Sequence, residues 1–118
     1  MELNIGIKEE QEEFLKETLN EYSIDGIEKI IQVLSKEIIE KFDKKIVFGE
    51  IRCVGSCFSN DKFIKVELDD DLISKMKDIF KLFDFEDYDS EEEELSKVIR
   101  CIINYSEQEC DMREVFDI

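Results

Sequence analysis

Hydrophobic positions change their period several times along the chain, and each change marks a boundary between elements. Leu3, Ile5 and Ile7 alternate with polar neighbours and predict a short strand or extended arm. From Lys8 to about Tyr22 the period lengthens. Phe14, Leu15, Leu19 and Tyr22 draw a narrow apolar stripe on a helix otherwise covered by acids. Ser23, Asp25 and Gly26 interrupt that helix, and Ser23 or Asp25 is expected to cap the next one. The second helix has the clearest pattern: Ile27, Ile30, Ile31, Leu34, Ile38 and Phe42, widened by Val33 and Ile39. A stripe that broad predicts the element most surrounded by protein, the spine of the core.

After Asp43-Lys44-Lys45 the period falls to two. Ile46–Val54 and Lys62–Leu68 are rich in β-branched and aromatic residues, and the Gly, Ser, Asn and Asp between them favour a turn. These segments predict an antiparallel β-hairpin, with Ile64, Val66 and Leu68 facing the core and Phe63, Lys65 and Glu67 facing away. Asp69-Asp70-Asp71 opens a third helix, whose apolar face is Leu72, Ile73, Met76, Ile79, Phe80 and Phe83. An acidic break covers 84–90. Ser90 and Glu93 then have the spacing of a capping box, followed by a fourth helical stripe of Leu95, Val98, Ile99, Ile102 and Tyr105. The tail, Met112 to Ile118, is apolar enough to dock back as a turn or short strand.

These elements predict the α+β class: an antiparallel β-hairpin, which the N-terminal strand can extend to three strands, packed by about four helices. No repeat and no Gly-, Ser- or Pro-rich linker interrupts the chain, so residues 1–118 are expected to form a single acidic domain. A chain of 118 residues is long enough to bury one respectable core.

Composition changes this picture chiefly through charge. Against 16 Lys+Arg stand 32 Asp+Glu, a net charge of −16, and 41% of residues are charged where a quarter is usual. General electrostatic binding to nucleic acid or to an anionic membrane is therefore disfavoured. The charge is also uneven. Residues 1–22 balance at −5, residues 23–83 at −1 and residues 84–118 at −10, so the acidity sits at the two ends of a near-neutral middle. Glu9, Glu13, Glu17 and Glu21 recur every four residues, a row of carboxylates about 6 Å apart along a helix. Asp84–Glu94 packs eight acids into eleven residues with no base, interleaved with Phe85 and Tyr88.

Catalytic and metal chemistry find little footing. The chain has no His, which removes histidine-based catalysis and histidine zinc sites. Its glycines are scattered, so no phosphate-cradling loop exists. An EF-hand loop begun at Asp87 has Glu92 at the glycine position and Val98 at the twelfth, and fails. Cys53 and Cys57 have zinc-like spacing, but Cys101 and Cys110 are separated by eight residues, so reduced, inert thiols are expected. The N-terminus lacks the basic start and apolar run of a signal peptide, and a cytoplasmic location without a cofactor is expected.

What remains is an acidic surface. Such runs also serve as plain solvated faces that aid solubility. Their functional meaning is complementarity to a groove lined with Lys and Arg. In physical type (small, acidic, ordered) the chain is similar to phage-encoded inhibitors of nucleic-acid defence and to bacterial immunity proteins, though no motif carries the likeness. The expectation is a non-enzymatic inhibitor that blocks the basic nucleic-acid site of a nuclease or CRISPR-type effector. Immunity against a cognate toxin and an acidic adaptor role are the alternatives. The residues expected to contact that basic partner are Glu9, Glu13 and Glu17, with Asp84, Phe85, Glu86, Asp87, Tyr88, Asp89, Glu91, Glu92, Glu93 and Glu94. The carboxylates would pair with Lys and Arg, and the two aromatics would anchor.

Overall fold

The structure is a computed structural model that describes residues 2–24, 26–42, 62–82 and 90–109. Within them the chain forms β1 (Glu2–Ile7), α1 (Glu9–Tyr22), α2 (Ile27–Lys41), β2 (Lys62–Glu67), α3 (Asp70–Leu82) and α4 (Glu91–Glu109). This is an α+β arrangement of four helices and a two-stranded antiparallel sheet. The described strand that pairs with β2 is β1, in a register that sets Leu3 against Val66, Ile5 against Ile64 and Gly6 against Phe63. The first strand of the expected hairpin (46–54), its turn and the tail from Met112 lie outside the described residues.

Alternation decides which side of the sheet is buried. Leu3, Ile5 and Ile7 are almost fully covered, as are Val66 and Leu68, whereas Phe63 is 60% exposed on the opposite face. A one-residue slip would exchange these sets, so hydrophobic burial fixes the register. α2 is the spine its pattern predicts: Ile30, Ile31, Leu34, Ile38 and Ile39 are buried, and the helix meets α1, α3, α4 and β2. α3 adds Ile73, Met76, Ile79 and Phe80, and α4 adds Leu95, Val98, Ile99, Ile102 and Ile103. One hydrophobic cluster thus draws on all six described elements. Each fully buried aliphatic side chain in it is worth about 1.5–3 kcal/mol. Phe42, just after α2, meets Tyr105 of α4 edge to face, with ring centroids 5.6 Å apart.

The helix ends correct one expectation. Ser23 does not cap α2, and Asp25 lies outside the described residues. Gly26 holds the N-cap position, without a side-chain hydrogen bond. Ser23 instead ends α1 in the left-handed region (φ 54°, ψ 47°), and the Ile24 N–H donates to the Leu19 carbonyl at 3.1 Å. Three cap-type residues stand within four positions, and composition does not say which takes which end. At α4 the expected cap is present, the Glu93 N–H donating to Ser90 Oγ at 3.2 Å. Among the described residues no helix is long and apolar enough to cross a membrane.

Candidate functional site

α1 is held from its inner side by an unusual mixture of groups. Leu15 is fully buried, while Phe14, Leu19 and Tyr22 pack against the core more loosely. Two polar residues, Gln11 and Thr18, complete the buried face. The Gln11 Oε1 accepts the Lys8 N–H at 2.8 Å, tying off the helix start. Its Nε2 reaches across to α4, donating to Asn104 Oδ1 at 2.9 Å and to the Arg100 carbonyl at 3.2 Å. Thr18 Oγ1 turns back to the Phe14 carbonyl at 2.9 Å. The helix is therefore fixed in rotation, which decides what it presents outward.

The outward face consists of seven exposed positions: Glu9, Glu10, Glu13, Lys16, Glu17, Asn20 and Glu21. Five are carboxylates, and the one cation, Lys16, is engaged with Glu12 of the same helix at 3.3 Å. Glu9, Glu13 and Glu17 thus lie where the sequence predicts them, in one row on solvent. From Glu9 to Glu21 the row rises about 18 Å.

The acids at the start of α4 are placed differently. Glu91 reaches Lys77 of α3 at 2.6 Å. The Glu92 carboxylate accepts the backbone N–H of Asn4 in β1. Glu93 and Glu94 are half-buried. Asp84, Phe85, Glu86, Asp87, Tyr88 and Asp89 lie outside the described residues. Glu91 and Glu92 are thus engaged by the fold, and the α1 row lies on an exposed helical face.

Among the described residues, the acids at the start of α4 and the first turn of α1 lie toward opposite ends of β1. α4 presents a polar row at steps of four, Glu92, Ser96, Arg100 and Asn104, along the outer edge of β1. Ser96 Oγ accepts the Gly6 N–H at 2.9 Å and donates to the Glu92 carbonyl at 2.7 Å. Arg100, 1% exposed, donates from Nη1 to the Gly6 carbonyl at 2.8 Å. Glu92 therefore lies at one end of β1, and Asn104, against the first turn of α1, at the other. Twelve residues of α4 separate them, about 18 Å. This row escapes a reading of apolar periodicity, because it runs beside the stripe of Leu95, Val98, Ile99 and Ile102. Its signal is the four-residue recurrence of hydrogen-bonding side chains through an otherwise apolar helix.

Among the described residues no group of three or more His, Cys, Asp or Glu side chains could hold a metal ion. Cys101 is buried on α4; Cys53, Cys57 and Cys110 are not among the described residues. Comparison of the chain with protein-family models, with curated proteins and with solved structures finds no match.

Proposed function

We propose that this protein is a non-enzymatic inhibitor that covers the basic, phosphate-handling groove of a nucleic-acid enzyme, of the nuclease or CRISPR-effector type, with the outward face of α1. One observation carries the reading: five glutamates on a single exposed helical face, spaced by the helix itself and held in rotation by Gln11 and Leu15. A groove built for phosphates presents Lys and Arg along its length, and a fixed row of carboxylates about 6 Å apart offers those side chains partners in sequence. Complementary fields of this kind speed encounter and reject acidic partners.

The test is capture of partners from a host lysate on immobilised protein, beside the Glu9→Lys/Glu13→Lys/Glu17→Lys variant. The expected result is a basic nucleic-acid enzyme that the natural chain retains, that competing DNA or RNA releases, and that the variant fails to hold. Equal retention by the variant would sink the assignment to α1. A partner held despite high salt and competing nucleic acid would place the chain with toxin-neutralising immunity proteins instead.

A further inference from the structure

A cleft of about 410 Å³ opens between α2 and the turn that leads from β2 into α3. Its floor is apolar: Val33 of α2 with Leu68 and Leu72, all packed against the core. Lys29 and Lys36 stand on the α2 wall, two helical turns apart, and Asp69 stands on the facing wall. Among the described residues none of these three forms an ion pair. Two further acids, Glu37 and Glu67, also line the cleft. Glu37 holds Lys41 at 2.6 Å, and Gln32 Nε2 donates to the Glu67 carbonyl at 2.7 Å, which ties α2 to the end of β2. The Glu67 N–H donates to Glu28 Oε2 at 2.8 Å, a second tie. The cleft is thus braced, lined by apolar side chains at its base, and rimmed by charges of both signs, with its two lysines on α2 and Asp69 across from them.

We propose that the cleft binds a small zwitterion with an apolar body, the chemistry shared by apolar α-amino acids and short apolar peptides with both ends free. The carboxylate lies toward Lys29 and Lys36, the ammonium toward Asp69, and the side chain on Val33, Leu68 and Leu72. A simple anion would meet Asp69 as a like charge, and a simple cation would meet the lysines. A neutral apolar molecule would take water from Lys29, Lys36 and Asp69 and give none of them a partner. The volume falls at the small end of the roughly 300–1,000 Å³ usual for ligand sites, which suits one or two residues better than a long chain.

The test is an NMR titration of the ¹⁵N-labelled full chain with leucyl-leucine, free leucine, N-acetyl-leucyl-leucine and leucyl-leucinamide. Saturable shifts are expected at Lys29, Gln32, Val33, Lys36 and Leu68–Leu72, with blocking of either end weakening binding by about tenfold. Tighter binding of the dipeptide than of leucine identifies a peptide end as the ligand, and the reverse identifies the free amino acid. Lys29→Glu/Lys36→Glu and Asp69→Lys alter solvent-facing positions, so both variants should keep the amide spectrum of the fold while losing the titration. No saturable shift, shifts scattered over the surface, or unchanged affinity in both variants would overturn the proposal.

Discussion

Among the described residues Arg100 is the largest fully buried side chain, and it is charged. Its guanidinium sits at the outer edge of β1, where another sheet would place a strand, and donates to the Gly6 carbonyl. Ser96 serves the N–H of the same residue. Together they do for Gly6 what a third strand would do, because a buried backbone group left without a partner costs about 1–3 kcal/mol. Ser96→Ala removes little volume but orphans the Gly6 N–H, so chemical denaturation should show a loss of about 1–3 kcal/mol. Arg100→Leu should cost at least as much, since it withdraws a charged donor from the carbonyl. A loss below about 0.5 kcal/mol for Ser96→Ala would mean that the strand edge finds water instead.

At the scale of elements, the connection from α1 to α2 has its cap residues in inverted order. Ser23 occupies a left-handed C-cap position, where a Cβ is strained and glycine is favoured. Gly26 occupies an N-cap, where a hydroxyl or carboxylate would accept a free N–H, and a Cβ added there meets nothing within 4 Å. The exchange Ser23→Gly/Gly26→Ser should therefore raise stability by about 1 kcal/mol, visible as a higher denaturant midpoint with unchanged slope. A neutral or lower midpoint would show that the sharp turn is set by packing of Ile24 and Ile27 rather than by cap chemistry. The same connection marks how far the sequence could be read. Four helices and two strands are legible because burial on one side imposes a period of 3.6 or 2, and Ile30, Leu34 and Ile38 or Leu3, Ile5 and Ile7 display it. The exposed row of Glu9, Glu13 and Glu17 is legible for the same reason, being the complement of the Leu15 and Leu19 side. The partner of β1 is not, since strand pairing depends on residues sixty positions apart and no local pattern encodes it. Nor was the engagement of Glu91 and Glu92 by Lys77 and Asn4, which only the meeting of α3, α4 and β1 creates.

Across the whole molecule the charge is one-sided enough to act on stability. Like charges four residues apart cost about 0.2–0.5 kcal/mol per pair at low ionic strength, and α1 holds three such pairs from Glu9 to Glu21. Screening shortens the reach of this repulsion from about 30 Å at 0.01 M salt to about 8 Å at 0.15 M. The protein should therefore gain on the order of 1 kcal/mol over that range, a rise in Tm of several degrees on calorimetry. Glu9→Lys/Glu13→Lys/Glu17→Lys raises the net charge by six, from −16 to −10; within the row two pairs stay like-charged and only the pair with Glu21 becomes attractive, so the variant acts chiefly by weakening the field of the whole molecule. That variant should be more stable in low salt and less responsive to added salt. If it loses its partner at the same time, the natural row trades stability for binding. A natural protein indifferent to salt would show that the acids are neutralised locally.

The hydrogen bonds from α4 to β1 span 88 to 94 positions of sequence. During synthesis β1 therefore leaves the ribosome long before the side chains that finish its outer edge exist. At about 5–20 residues per second the interval is roughly 5–20 s. Throughout it the row of N–H and C=O groups around Gly6 is open to any strand that passes. The nascent chain meets that interval with the acids of α1 already translated immediately behind the strand, and neighbouring copies on a polysome carry the same charge. Glu9, Glu10, Glu12 and Glu13 thus stand beside the vulnerable edge as an electrostatic guard during the one period when it lacks its helix.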